Sequence, residues 1–366
     1  MNALNETITA ESISLLKDMI RIPSPSFCEE AVCSHISSWM KEHGITYERI
    51  GNNIVAEHVT DESAPTLMLC AHIDTVSPCE GYSFDPYDPE AGEEGVITGL
   101  GSNDDGASVV AMIAVYRSVI CRYADVDMNV VLVLSCEEER SGKDGMTGLW
   151  GTRFCGRHEK ISGCTCVDYA IVGEPTGMKA ATSERGLLVI DATAHGVSGH
   201  AARNEGENAL YIALEDIDKI RRHIFTRKSH LMGEVNVNVT QINAGSAHNV
   251  IPDRCDFVID IRPTELYTNE EILNELQAIC RSDLKPRNLG NRSSATQTDS
   301  PLLKAAERLG IETFSSPTTS DWMRISCDAV KMGPGDSARS HRKDEFVTVK
   351  EIKEGISRYI DFILNI

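Results

Sequence analysis

The run Thr66–Val76, TLMLCAHIDTV, constrains this chain most. Apolar residues follow one another without a polar break until His72, one spacer and Asp74. A segment of this length and composition reads as a buried strand. Residues two apart on a strand project to the same side, so an imidazole and a carboxylate leave the sheet together, as a pair serving a metal ion would.

Two further runs repeat the pattern. Val130–Ser135, VVLVLS, leads into Glu137, Glu138 and Glu139, and Tyr169–Val172, YAIV, leads into Gly173-Glu174-Pro175-Thr176. Three adjacent glutamates are most simply a solvated loop. Their place straight after a core strand weighs against that, because ligands of open α/β sheets gather at the carboxyl ends of strands. Between these runs lies Gly99-Leu100-Gly101-Ser102-Asn103-Asp104-Asp105-Gly106, ahead of a helical pattern from Ala107 to about Ile120. Glycines before a helix suit a phosphate cradle. The spacing here is not G-x-G-x-x-G, and no Lys-Ser/Thr follows, which sets a nucleotide site aside.

The remaining elements frame these three strands. Ile8–Met19 predicts an amphipathic helix closed by Pro23 and Pro25, and Glu29–His43 a second one stopping at Gly44. Asn52–His58 reads as a strand and Pro78–Glu94 as a long polar loop. After Thr182 the character changes. Strand Leu187–Thr193, helix Asn208–Arg222, strands Val235–Ile242 and Cys255–Ile261, and a helix opened by the capping box Thr268-x-x-Glu271 make a second small domain with an antiparallel sheet. It ends near Arg292. The last segment resumes α/β patterning, with a helix at Leu302–Leu309, a Thr-Ser-Asp turn at Thr319–Asp321, Gly333-Pro334-Gly335 leading to His341, and a closing helix Val349–Leu364. The expected division is 1–180 and 293–366 for one domain, with 181–292 inserted.

A chain of 366 residues is long enough for two such cores. Its net charge of −20 argues against nucleic acid or an anionic membrane as partner, since both select basic patches. A small cationic substrate suits the balance better. No apolar stretch reaches spanning length, and the opening MNALNETITAESISLLKDMI lacks the basic and apolar regions of a secretory signal, so a cytoplasmic protein is expected. Twelve cysteines without a C-x-x-C pair point to reduced thiols rather than a disulfide framework or a zinc ribbon.

Strand ends and loops thus supply His72, Asp74, Asp104, Glu138 or Glu139, Glu174 and, far away in sequence, His341. Two imidazoles and several carboxylates suit two zinc-like ions roughly 3.5 to 4 Å apart, with a carboxylate between them. A carboxylate beside the ligands is then free to take a proton from water.

In order and spacing, His72-x-Asp74, Gly99-x-Gly101-x-x-Asp104, Glu138-Glu139, Gly173-Glu174-Pro175 and His341-x-x-Asp344-Glu345 resemble the family of acetylornithine deacetylase, succinyl-diaminopimelate desuccinylase and carboxypeptidase G. The likeness covers essentially the whole chain and is stronger toward the deacetylase branch, through Gly333-Pro334-Gly335-Asp336-Ser337 and Ser340-His341. The resemblance implies an aminopeptidase-like mixed α/β sheet domain with an inserted ferredoxin-like α+β domain that serves as lid and dimerisation surface. It implies two divalent ions, zinc with cobalt as substitute: His72 and Glu174 on one, Glu139 and His341 on the other, Asp104 bridging, and Asp74 orienting the His72 ring. Glu138 would be the general base, in the frame set by Asp144-Gly145, with Glu137 in place of the family's aspartate. His200, in Gly196-x-x-Gly199-His200, would reach a partner subunit's oxyanion, while Asn249 and Arg262 would hold a substrate carboxylate. The implied reaction is removal of an acyl group from a small amino acid such as N-acetylornithine, N-succinylornithine or N-acetylcitrulline in arginine biosynthesis, by a cytoplasmic homodimer. The alternatives are succinyl-diaminopimelate or a di- or tripeptide. Two departures stand out: Leu100 where the family has Arg, and Asp105-Gly106 where it has Lys-Gly after the bridging aspartate. His195 and His248 have no motif role and read as structural.

Overall fold

The computed structural model describes residues 3–61, 63–122, 127–203 and 205–366, and divides them into two compact units. The first comprises 1–182, 295–314 and 320–366, and the second 183–294 with 315–319.

The first unit is built on a mixed sheet. From the edge its strands run Glu48–Ile50, Asn53–His58, Asn129–Ser135, Thr66–His72, Tyr169–Val172, Asp328–Lys331 and then Ala180–Glu184. Thr66–His72 is parallel to both neighbours, Asn129–Ser135 and Tyr169–Val172, and the latter is parallel to Asp328–Lys331. All seven residues of Thr66–His72 are buried. Alternation explains how: Leu67, Leu69 and Ala71 join one apolar cluster, while Met68 and Cys70 join another on the opposite face. The first cluster is filled by helices Ala3–Ile20, Glu30–Glu42, Gly106–Arg122 and Val349–Ile363, and the second by Phe154, Met146, Leu149 and Trp322. A sheet covered on both faces needs apolar residues at every position, which is why these strands are unbroken hydrophobic runs.

Parallel neighbours bring their carboxyl ends to one rim. His72 pairs with Ser135 in register, and Cys70 pairs with Val172. Glu138–Glu139 and Glu174 therefore emerge beside His72. Helix Val349–Ile363 is opened by a capping box, Thr348 with Glu351.

The second unit follows strand Leu188–His195, helix Ala209–Arg222, strands Asn236–Ala244 and Arg254–Arg262, helix Asn269–Gln277 and strand Asp283–Pro286. Its four strands lie in the order Asn236–Ala244, Arg254–Arg262, Leu188–His195, Asp283–Pro286, with each neighbour antiparallel. That is the βαββαβ ferredoxin-like arrangement. Ile190, Ala192, Phe257, Ile259 and Ile261 face helix residues Ile212, Ala213, Ile220, Ile272 and Leu276 in one core. Asn208 caps the first helix through the Leu210 amide, and Thr268 with Glu271 forms the capping box read from the sequence.

Helix and strand bounds differ from expectation by a few residues. Strands of the first sheet that were not anticipated include Ala180–Glu184 and Asp328–Lys331.

Candidate metal centre

The rim of the first sheet gathers imidazoles and carboxylates. His72 closes its strand, fully buried, and its Nδ1 lies 2.9 Å from the main-chain oxygen of Asp74. A carbonyl only accepts, so Nδ1 carries a proton toward it, which leaves Nε2 to face Asp104. Nε2 lies 3.2 Å from Asp104 Oδ1. The other oxygen, Oδ2, lies 3.8 Å from His341 Nε2, which is itself 2.9 Å from the Glu139 carboxylate. Asp104 thus turns one oxygen toward each imidazole. Among the described residues, two sets of ligand atoms converge within 4.8 Å: His72 with Glu138 and Glu174, and His72 with Asp104 and Glu139.

The three glutamates after Ser135 divide by backbone geometry. Glu137 has φ 60°, and its Oε2 accepts from the Asp144 amide at 3.1 Å. It belongs to neither convergent set. The Glu138 and Glu139 amides donate to Asp74 Oδ1 and Oδ2 at 3.0 and 3.1 Å, and Ser26 donates to Oδ2 at 2.7 Å. The Asp74 carboxylate therefore secures the glutamate loop, with its Oδ1 at 3.5 Å from His72 Nδ1, while the Asp74 carbonyl makes the shorter contact to the ring. Ser26 reaches Asp74 because the segment after the first helix runs beside the strand exit, with Ser26 N on Thr75 O and Thr75 N on Ser24 O.

Asp104 sits in the turn between Gly101 and Gly106, whose amide donates to the Gly101 carbonyl at 3.0 Å. The turn is held from outside by Glu345, whose buried Oε1 accepts from the Asn103 and Asp104 amides at 2.9 and 3.0 Å. Gly101 takes φ 78°, where an L side chain is strained and a Cβ would strike Thr75. Asn103 binds the Asp336 amide and carbonyl, which ties this turn to the loop carrying His341. A Cβ on Gly335 (φ 90°) would collide with Asn103 Oδ1. Asp105, at the position of the missing Lys, is buried, and burial pushes its carboxyl up to about 8.

The electrostatics call for cations. Burial pushes the Glu138 carboxyl well above the usual range, with the neighbouring carboxylates Glu174, Asp321 and Glu139 adding to it against His72. Burial and Asp104 do the same to Glu174. Burial opposes a charged His72, yet Asp104 and Asp74 outweigh it and hold the ring well above its ordinary value. Glu139 raises His341 to about 9. Buried like charges that each favour the neutral acid are relieved by a divalent ion, and imidazole nitrogen with carboxylate oxygen is a donor set for first-row divalent metals. The residues present fit such ions.

Reasoning from the sequence did not single out Ser26 or Asp321 for the site, and quoted Glu345 without a role. Asp321 is buried and accepts from Ser135 Oγ at 2.5 Å at the end of the central strand pair. A Thr-Ser-Asp turn was its visible signal.

The other expected site residues belong to the second unit. His200 is exposed, and its Nδ1 accepts from the Ala202 amide at 3.1 Å. Asn249 is exposed. The Arg262 guanidinium makes two bonds to Asp260, at 2.9 and 3.1 Å. His195 pairs with Asp283 at 3.0 Å on the sheet's outer face.

A parallel rim with paired imidazoles, a shared aspartate and an adjacent glutamate pair defines a metal-dependent hydrolase, and comparison with known proteins agrees. The peptidase dimerisation domain family matches residues 182–288, and peptidase family M28 matches 53–186, the part that carries His72, Asp104, Glu138, Glu139 and Glu174. The chain is 26% identical to acetylornithine deacetylase of Proteus mirabilis, over 93% of each chain. It is 26% identical to succinyl-diaminopimelate desuccinylase of Anaplasma marginale, over 82% of this chain and 80% of that one. The YXEP protein of Bacillus subtilis, described as a dinuclear metal-binding peptidase, shares the fold with TM-score 0.73 at 16% identity, over 98% of both chains. The chain is thus similar in fold to peptidases of the M20 family, and its second unit carries the match to the peptidase dimerisation domain.

Proposed function

We propose that this chain hydrolyses the amide of a small N-acyl amino acid, with N-acetylornithine or a close relative such as N-succinylornithine or N-acetylcitrulline as substrate. The observation that carries the reading is the Glu138–Glu139 pair held by one aspartate beside two imidazoles. Two zinc ions, or cobalt in their place, would polarise the amide carbonyl and bring the pKa of a shared water to about 7. His72 and Glu174 would hold one ion, Glu139 and His341 the other, and Asp104 both. Glu138, its carboxyl already biased toward holding a proton, takes one from the attacking water at a carboxylate oxygen and returns it to the leaving amine. Asp74 keeps the His72 ring and the glutamate loop in place for this exchange.

His200 would stabilise the oxyanion from the partner subunit of a homodimer formed through the inserted domain, and Asn249 and Arg262 would hold the substrate carboxylate. For Arg262 this means exchanging or sharing its Asp260 partner. The domain bounds 1–180, 181–292 and 293–366 and a cytoplasmic location belong to the same reading. Among the described residues no helix is long and apolar enough to cross a membrane. The described cysteines are free thiols; Cys121 lies outside the described side chains.

The equal identity to a desuccinylase favours succinyl-diaminopimelate as a second reading. One assay separates them. Protein stripped of metal and reloaded with zinc or cobalt is offered N-acetylornithine, N-succinylornithine, N-acetylcitrulline, N-succinyl-diaminopimelate and a dipeptide panel. The highest kcat/KM is expected on an N-acyl ornithine or citrulline. A preference for succinyl-diaminopimelate or peptides overturns the proposal.

A further inference from the structure

Away from the metal centre, three cysteines crowd one corner of the first unit. Strand Phe154–Gly156 lies parallel to strand Thr165–Val167, and Cys155 faces Cys166 directly in register. Their sulfurs are 3.8 Å apart. Cys164, two residues before Cys166, lies near enough that the Cys155 thiol raises its pKa after burial has done so, and it also donates to Thr152 O at 3.2 Å. Cys155 is fully buried, while Cys164 and Cys166 are partly exposed.

We infer that Cys155 and Cys166 form a site of reversible oxidation, joined as a disulfide by a peroxide-class oxidant. The geometry carries this on three counts. Directly opposed residues of neighbouring strands have Cα atoms about 4.8 Å apart, inside the roughly 4.4–6.8 Å span that a disulfide bridges. The two sulfurs already face one another and need to close by less than 2 Å to reach a bond of about 2.05 Å. The strands that must yield are three residues long and joined by a surface loop, 157–164, so the shift does not enter the central sheet.

Access decides the order of events. Cys166 meets solvent and reacts first: its sulfur attacks the peroxide, an S–O bond forms as the O–O bond breaks, and sulfenic acid and water result. The buried Cys155 sulfur then attacks the sulfenic sulfur. The S–S bond forms as the S–O bond breaks, and the hydroxide leaves with the Cys155 proton as a second water. Two thiols and one peroxide give one disulfide and two waters. With the resolving Cys155 sulfur already 3.8 Å away, the sulfenic acid on Cys166 is captured within the chain ahead of a thiol from solution. The new link would tie Phe154, in the apolar cluster with Trp322 and Met146, to the strand before Tyr169–Val172.

The test uses the full chain. It is exposed to hydrogen peroxide, its remaining thiols are alkylated, and it is digested without reduction for mass spectrometry. A linked peptide pair containing Cys155 and Cys166, lighter by about 2 Da than the two reduced peptides and separated by dithiothreitol, is expected. Cys164→Ser should keep the link and Cys166→Ser should abolish it. Alkylation of both Cys155 and Cys166 under conditions that oxidise the exposed Cys28 and Cys79 overturns the proposal, as does a link from Cys155 to Cys164 in its place. The peptide map of the unsubstituted chain decides the matter even where a serine variant does not fold.

Discussion

At the scale of single residues, the site depends on which atom each group offers. Asp74 gives its carbonyl to the His72 ring and its carboxylate to the amides of Glu138 and Glu139, so one residue sets both the orientation of that ring and the loop that carries the glutamate pair. Glu138 and Glu139 are neighbours with different surroundings: Glu139 lies on His341, and Glu138 converges with His72 and Glu174. Glu138→Gln keeps the shape and removes the proton acceptor. It should retain bound metal, measured by elemental analysis, while kcat falls roughly 10²–10⁴-fold. Turnover near that of the parent would move the base to another residue. His72, Asp104, Glu174 and His341 could be named from the sequence because each follows an apolar strand or a glycine turn. Ser26 and Glu345 could not be given roles. A serine just after Pro25 and a glutamate 241 positions from Asp104 acquire their work through contacts that no local pattern encodes.

At the scale of elements, strand legibility followed burial. Thr66–His72, Asn129–Ser135 and Tyr169–Val172 are apolar between their ends because helices or loops cover both faces. Ala180–Glu184 (AATSE) and Asp328–Lys331 (DAVK) are short and polar at their ends, so neither periodicity nor composition marks them, although Ala329 and Val330 are fully buried. In the inserted unit, helix Ala209–Arg222 is anchored by Asp216. Its buried carboxylate accepts from Lys219, from the Arg281 and Ser282 amides and from Ser282 Oγ, at 2.8 to 2.9 Å. Burial opposes its charge, but these donors hold its pKa below the usual value. A depressed folded pKa adds stability above the unfolded value near 3.9, and that stability is lost as pH falls through the folded one. Asp216→Asn should therefore cost roughly 2–4 kcal/mol in urea unfolding at pH 7. The gap between variant and parent should narrow as pH drops below about 4. An equal cost at pH 7 and pH 3 would show that shape, not charge, is what Asp216 supplies.

At the scale of the whole molecule, the metal centre joins chain segments from residues 72 to 341, so ion binding and folding of the first unit are linked. Removing metal with a chelator should abolish hydrolysis and lower the thermal midpoint, and zinc or cobalt should restore both. Ligand at a thousandfold excess over Kd is worth about 4 kcal/mol of stability. An unchanged midpoint in the stripped protein would mean that the carboxylates tolerate one another without a cation. The sequence by itself determined the three central strands with His72, Glu138, Glu139 and Glu174 at their ends, the ferredoxin-like unit and the family resemblance, because apolar runs, caps and motif order are local properties of the chain. The tertiary structure decided which glutamate turns away to Asp144, which atom of Asp74 lies closest to the ring, and how Glu345 steadies the turn that carries Asp104. Those choices depend on hydrogen bonds between segments tens to hundreds of residues apart, whose partners exist only once the parallel sheet has brought its strand ends to one rim.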